Sequence, residues 1–112
     1  MAEVIDKRPI FARRLAQARL RSNISQKQLG LRVGMEPSVA SPRVNQYEQG
    51  VHEPKLAMAK KLADALGIPA AFLYCDDELL AKLLLRWGGL TVAQKKGLLK
   101  LAGASANPPP ER

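Results

Sequence analysis

The sequence is short of the residues that build disulfide, metal and nucleophilic sites. Its single cysteine, Cys75, has no partner for an internal disulfide, and its single histidine, His52, has no second ligand at metal-binding spacing. We therefore expect a reducing compartment, no metal site and no cofactor. No nucleophile is paired with a base, so we also expect no catalytic residues and no enzyme activity.

Long apolar runs are missing as well. No stretch approaches the roughly 20 apolar residues that cross a bilayer. Near the N-terminus, Glu3, Asp6, Lys7 and Arg8 leave no room for the core of a signal peptide. These two absences predict a cytoplasmic protein that does not enter a membrane.

Acidic residues are scarce relative to basic ones. The chain carries 18 Lys and Arg against 10 Asp and Glu, which gives a net charge of +8. The segment from Lys7 to Arg32 holds eight basic residues and no acidic one. This balance favours a polyanionic partner, although a solvated, solubilising basic face would give the same count.

Helical patterns cover most of the chain, and no segment has a convincing strand pattern. The first helix, Pro9 to Arg21, places an apolar stripe on one face and its arginines mostly on the other. A capping box of Ser25 and Gln28 starts a second helix. The stripe is Phe11, Leu15 and Ala18, and the outward arginines are Arg13, Arg14 and Arg21.

Three further helices follow. Ser41 and Pro42 are predicted to be the cap and first residue of a third helix that ends at Gly50 and buries Val44 and Tyr47. A fourth helix is predicted from Pro54 to Gly67, and a short fifth from Pro69 to Tyr74.

The C-terminal part is richer in leucine. Acidic residues 76–78 precede leucines that exceed what one helix can bury, and Thr91 with Gln94 forms a second capping box. Residues 104–112 contain three consecutive prolines and are predicted to be disordered. The leucines are predicted to form either a dimer surface or a second small core folded back on helices one and five.

Several residues between Arg19 and Leu73 occur with an ordered spacing, although each is a weak signal alone. They are Ser25 and Gln26 opening helix two, Leu29 and Gly34 within it, Val44, Tyr47, Glu48 and Gly50 in helix three, and Leu66-Gly67 ending helix four. With this spacing the run resembles the helix-turn-helix domain of the phage repressor and Cro family (XRE type), found among bacterial and phage transcription regulators.

The resemblance implies an all-α, five-helix repressor-like domain, which we place over residues 7–74. The leucine-rich part is predicted to be a C-terminal helical extension over 75–103, followed by the tail over 104–112. It also implies a double-stranded DNA partner and a homodimer whose two half-sites lie about one DNA turn apart in a palindromic operator. The leucines of the extension would then serve as the dimerisation element, or would bind a partner protein or a toxin.

The family pattern assigns DNA contacts to particular residues. Arg43 and Gln46 can each form two hydrogen bonds with a base edge, although a phosphate contact by Arg43 is an alternative. Gln26 matches a phosphate-binding position, against the plain alternative of an exposed glutamine. The predicted base-reading residues are Ser41, Pro42, Arg43 and Gln46, and the predicted backbone-binding residues are Ser25, Gln26, Lys27, Asn45, Gln49 and His52.

Two other features of the resemblance are open. Arg19 and Glu48 match a partly buried ion pair that joins helix one to the end of helix three, although they could be two independent surface charges. This chain also has four more residues than relatives usually have between Gly34 and Tyr47. The surplus either enlarges the loop or adds a turn to the start of helix three, led by Pro37.

The function predicted on these grounds is a sequence-specific DNA-binding transcriptional regulator that acts as a repressor. The antitoxin of a toxin-antitoxin pair would use the same fold and devote its C-terminal leucines to the toxin. A protein-binding adaptor is the third possibility, but an adaptor would not require the basic segment from Lys7 to Arg32.

Overall fold

The structure, a computed structural model, describes residues 5–105, with side chains to residue 103. It contains six α-helices and one 3-10 helix, and residues 5–105 form no β-strand. The predicted all-α fold is therefore confirmed. The elements are α1 (Ile10–Arg21), α2 (Gln26–Arg32), α3 (Pro37–Gln49), α4 (Leu56–Leu66), the 3-10 helix (Ala70–Tyr74), α5 (Glu78–Trp87) and α6 (Val92–Ser105).

A single core lies between α1, α2, α3, α4 and the 3-10 helix. The apolar stripe predicted for α1 is buried, and so is Tyr47 of α3. Complete burial of one large apolar side chain contributes about 1.5 to 3 kcal/mol, so this core fixes the helices that carry the candidate site. The largest fully buried side chains are Phe11, Leu15, Leu29, Val44, Leu62, Phe72 and Leu73.

The start of α2 follows the sequence prediction. The hydroxyl oxygen of Ser25 accepts from the Gln28 amide at 3.0 Å, and the Gln28 side chain accepts from the Ser25 amide at 2.7 Å. This capping box satisfies amides that the helix itself leaves without partners. Gln26, the first residue of α2, is thereby fixed in place.

The predicted start of the third helix at Ser41 is wrong. Helix α3 begins at Pro37, with Glu36 before it, so Ser41 and Pro42 lie inside the helix. Proline is favoured in the first turn of a helix, so either Pro37 or Pro42 can start α3. Burial of Ala40 one turn before Val44 decides between them, because both pack in the core. The four surplus residues therefore lengthen α3 instead of enlarging the loop.

Helices α2 and α3 cross at very short range. A Cβ atom on Gly30 would lie 2.6 Å from the Ala40 Cβ and 2.8 Å from its Cα. Only glycine allows this approach. The added turn of α3 thus packs on α2 through two small residues, Gly30 and Ala40.

One arginine of α1 was assigned to the wrong face. Arg14 is buried, with 3% of its side chain exposed. Its Nε donates to the Cys75 carbonyl oxygen at 2.6 Å and its Nη2 to Glu78 Oε1 at 2.9 Å, while the guanidinium lies over the Phe72 ring. A buried charge of this kind is tolerated because the guanidinium nitrogens find acceptors.

The same face of α1 holds the C-terminal extension. Asp77 caps α5 by accepting from the Leu80 amide at 2.9 Å. Arg14 binds Glu78 at the start of α5, and Arg21 donates to the Leu85 carbonyl oxygen near its end at 2.9 Å. These two arginines, seven residues apart on α1, therefore bracket α5.

The leucines of α5 are divided between the core and the solvent-exposed surface. Ala81, Leu84 and Leu85 pack on the core, whereas Leu79 and the two other leucines of α5 that the core does not cover are exposed. Helix α6 does not pack extensively against any other described helix. Its exposed large apolar residues are Val92, Leu98, Leu99 and Leu101.

The predicted tail overlaps the last helix. Helix α6 runs through Ser105, so residues 104 and 105, assigned to the tail, are helical. The remaining residues of the predicted tail, 106–112, lie outside the described residues. Among the helices of residues 5–105, none is long and apolar enough to span a membrane.

Candidate nucleic-acid interface

The outer face of α3 is open to solvent along its whole length. The inner residues of the helix, Ala40, Val44, Tyr47 and Glu48, are buried. With 3.6 residues per turn, the opposite side of the helix is centred on Pro42. The exposed or half-buried residues of α3 are Pro37, Ser38, Val39, Ser41, Pro42, Arg43, Asn45, Gln46 and Gln49.

Two arginines fix the C-terminal end of α3. The Arg19 guanidinium donates to both carboxylate oxygens of Glu48, at 2.5 and 3.0 Å, and Arg8 Nη1 donates to the Glu48 main-chain oxygen at 2.9 Å. The exposed fractions of the Arg19 and Glu48 side chains are 13% and 4%. The hydrogen bond to Glu48 raises the pKa of Arg19 above its usual value. Helix α3 therefore has a defined position on α1.

The same carboxylate connects α2 to the outer face of α3. Gln26 Nε2 donates to Glu48 Oε1 and to Asn45 Oδ1, both at 3.1 Å. Asn45 is exposed, and among the described residues its amide nitrogen donates no side-chain hydrogen bond. That nitrogen can therefore donate to a phosphate oxygen at the boundary of α2 and α3.

A shallow depression lies at the other side of α3. Its volume is about 540 Å³, and its lining combines basic and amide side chains with one carboxylate, that of Glu53. Arg43 and Gln46 come from α3, whereas His52 and Lys55 come from the connection to α4. Because the two cations, Arg43 and Lys55, outnumber the single carboxylate, this concave surface can accept a sugar-phosphate chain that passes beside the helix.

The basic segment from Lys7 to Arg32 is less uniform than its composition suggests. Arg14 and Arg19 are used in internal ion pairs, and Arg8 binds Asp6 and the end of α3. Three of the eight charges thus have acidic partners within the described residues. The charge that remains for a polyanion is carried by exposed residues such as Lys27 and Arg32 on α2.

The predicted base-reading residues do not all lie on one face of α3, because Ser41 and Arg43 are separated by about 200° around the helix. They also differ in exposure. Pro42 and Arg43 are exposed, Gln46 is half-buried in the depression, and Ser41 is half-buried toward the inner side. Ser41 lies in the second turn of the helix and not at its tip, because α3 starts at Pro37.

The predicted backbone-binding residues form two groups. Ser25, Gln26, Lys27 and Asn45 lie at the start of α2 and the adjoining side of α3, where Gln26 contacts Asn45 directly. Gln49 and His52 are exposed at the end of α3 and in the following connection. The sequence analysis did not identify Lys55. Its position directly before α4, in the connection that follows α3, is a signal that could have found it.

Comparisons with known proteins agree with this geometry. A family model described as helix-turn-helix matches residues 15–73. The chain is also similar to the crystal structure of the transcriptional regulator BswR, with a TM-score of 0.77 and 41% sequence identity over 85% of this chain and 98% of that one. A search of curated proteins gave no match.

The fold and the open outer face of α3 define a helix-turn-helix protein. The family match covers more than half of the chain, and the likeness to BswR covers more of it still. The chain belongs to the XRE-type helix-turn-helix family of transcriptional regulators.

Proposed function

We propose that this protein represses transcription by binding a palindromic operator as a homodimer, with one α3 in each half-site. The observation that carries the proposal is the uncovered outer face of α3, which presents Arg43 and Gln46 beside each other. An α-helix fits the major groove of B-DNA, where each base pair shows its own pattern of donors and acceptors. A dimer seated on an operator blocks access of other proteins to that DNA.

Different residues would carry specificity and affinity. Arg43 can clasp the O6 and N7 atoms of guanine, and Gln46 can pair with the N6 and N7 atoms of adenine. The Gln26 and Asn45 pair lies to one side of α3, and His52 with Lys55 lies to the other. These four residues would bind the two phosphate chains that border the groove.

A second copy of the chain is the proposed partner of α5 and α6. Seven large apolar side chains of these helices have exposed fractions between 37% and 80%, more than a monomer needs to leave in water. For two α3 helices to occupy one duplex, such an interface has to hold them roughly 34 Å apart. The exposed residues are Leu79, Leu80, Leu83, Val92, Leu98, Leu99 and Leu101.

DNA selection tests the first part of the proposal. The full chain is used to select bound duplexes from a random pool, and the ratio of specific to random affinity is then measured for Arg43→Ala. We expect this variant to lose about 1 to 3 kcal/mol of discrimination. Arg86→Ala removes an equal, exposed charge from α5 and serves as the matched control.

The outcome of the selection separates several possibilities. A two-fold symmetric consensus supports a dimer on a palindrome, and the absence of any consensus would reject sequence-specific binding. Affinity should fall steeply between about 50 and 200 mM salt, because phosphate neutralisation releases counterions. Gln26→Ala should weaken specific and random duplexes to the same extent.

The oligomeric state tests the second part. Light scattering after size-exclusion chromatography should give a dimer for the natural chain and a monomer for Leu99→Asp. Leu20→Asp changes a leucine of α1 that is 66% exposed, against 75% for Leu99, and should remain a dimer. A monomer that dimerises only with a co-expressed small protein would instead support the antitoxin alternative.

A further inference from the structure

The N-terminal half of α3 differs chemically from its C-terminal half. Residues 37–42, Pro-Ser-Val-Ala-Ser-Pro, contain no charged and no amide side chain. The C-terminal half supplies Arg43, Asn45, Gln46 and Gln49. The two halves share one continuous outer face, so whatever lies against that face meets an apolar part and a polar part.

Val39 and Pro42 form the apolar part. They are three residues apart and therefore neighbours on the surface of the helix. Val39 has an exposed fraction of 40%, and Pro42, at the centre of the outer face, is also exposed. Ala40 and Val44, on the opposite side, bury the inner face of the same turns. Nothing in the core requires the residues at 39 and 42 to be apolar.

The added turn of α3 is what places these side chains at the front of the helix. Because α3 starts at Pro37, Val39 lies in its first turn and Pro42 in its second. A helix that began at Ser41 would leave Val39 in a loop. The close contact of Gly30 with Ala40 holds this turn in position from behind.

We propose that Val39 and Pro42 recognise thymine, by contact with its C5-methyl group, within the operator half-site. This inference rests on the proposed function, since it requires α3 to lie in the major groove. The thymine methyl is the apolar feature that base pairs display in the major groove, so it is the partner that an apolar side chain can select.

The chemistry of the two residues suits this role. Valine is stiff at χ1 and proline is a closed ring, so both side chains lose little conformational entropy when they contact a methyl group. Proline has no N–H and its ring cannot donate a hydrogen bond. The hydroxyls of Ser38 and Ser41 both donate and accept, so they discriminate poorly among bases.

The test removes single methyl groups from the DNA. In the operator obtained by selection, each thymine is replaced in turn by deoxyuridine, which lacks only the C5-methyl group. Affinities of synthetic duplexes are measured by fluorescence anisotropy at fixed salt. We expect one or two positions in each half-site at which the replacement weakens binding by the natural chain about fourfold.

Variants then identify which side chain reads the methyl group. Val39→Ala or Pro42→Ala should weaken binding to the thymine operator and abolish the effect of deoxyuridine at one of those positions. Val51→Ala, an exposed valine outside α3, should keep the full effect. Both test positions are exposed, so circular dichroism should show an unchanged fold.

Three results would overturn the inference. Specific binding with no sensitivity to any deoxyuridine would reject it while leaving the proposed function intact. Sensitivity that persists in both Val39→Ala and Pro42→Ala would assign the methyl contact to other residues. Selection that yields no consensus at all would reject the proposed function and this inference with it.

Discussion

Arg19 of α1 and Glu48 of α3 are joined by two parallel hydrogen bonds between a guanidinium and a carboxylate, in a largely buried position. Glu48 also accepts from Gln26, which contacts the outer face of α3 through Asn45. The carboxylate of Glu48 thus connects α1, α2 and α3. The pair sets the angle at which α3 is presented, although neither residue faces the duplex in the proposed complex.

The first prediction concerns this pair. Glu48→Gln keeps the size of the side chain but leaves the charge of Arg19 largely buried without its partner, so we expect the free energy of unfolding to fall by about 3 kcal/mol. Urea denaturation measures the change. The double variant Arg19→Met/Glu48→Leu should recover part of the loss. A loss below about 1 kcal/mol would match an exposed pair and contradict the structure.

The second prediction concerns the crossing of α2 and α3. Gly30→Ala gains up to about 1 kcal/mol in helix propensity, but its Cβ would meet backbone atoms of Ala40 at 2.8 and 2.9 Å. Overpacking of a core costs about 1 to 3 kcal/mol, and backbone yields less readily than a flexible side chain. We therefore expect a net loss of thermal stability.

Gly97→Ala is the matched control for that variant. Gly97 lies within α6, and apart from the backbone of that helix no described atom lies within 4 Å of the methyl group that alanine would add. This substitution should leave stability unchanged or raise it. Gly30→Ala/Ala40→Gly should recover part of the lost stability, and equal melting temperatures for Gly30→Ala and the natural chain would contradict the close crossing.

The third prediction concerns the attachment of α5. Arg14→Met keeps the apolar stem but leaves the Cys75 carbonyl oxygen without its donor. We therefore expect the free energy of unfolding to fall by about 1 to 3 kcal/mol. Glu78 also loses its partner at the start of α5. Hydrogen exchange of α5 amides should therefore accelerate. Arg86→Met alters an exposed arginine of α5 and should change neither the free energy of unfolding nor the exchange rate of the α5 amides.

The fourth prediction concerns the segment before α1. Hydrogen bonds from Arg8 lower the pKa of Asp6 to about 2. Because the pKa is lower in the folded state, the contribution of Asp6 is present above its ordinary value of 3.8 and is lost as the pH falls toward 2. Carbon-detected NMR titration of the Asp6 carboxyl group should give this midpoint.

Replacement of Arg8 provides the control for that titration. Arg8→Met should return the pKa of Asp6 toward 3.8, whereas Arg13→Met should change it little, since Arg13 makes the smallest of the contributions. An Asp6 midpoint near 3.8 in the natural chain would contradict the hydrogen bonds seen between residues 6 and 8.

Much of the fold was predictable because it depends on neighbours in the sequence. The capping boxes at Ser25 and Thr91 form as predicted, since each needs only residues three apart. The apolar stripe of α1 is buried for the same kind of reason. In the candidate site, helical periodicity places Pro42 and Gln46 on the outer face of α3, whereas Ser41 of the predicted base-reading set lies toward the inner side.

Other features were beyond local rules. Helical periodicity places Arg14, three residues after Phe11, beside the apolar stripe and Arg13 away from it. Whether a charge can stay buried there depends on acceptors, and the Cys75 carbonyl oxygen and Glu78 lie within reach of Arg14. These partners are more than 60 residues away in the chain. No periodicity in α1 reveals them.

The sequence by itself determined that the chain is helical, where most helices end and which family it belongs to, since capping, periodicity and motif spacing are local properties. Only the tertiary structure decided where α3 begins and which arginines are buried. A proline can start a helix at position 37 or at position 42, and the choice is made by the packing of Ala40 against Gly30 in α2. Contacts between distant segments therefore shape the face that α3 presents.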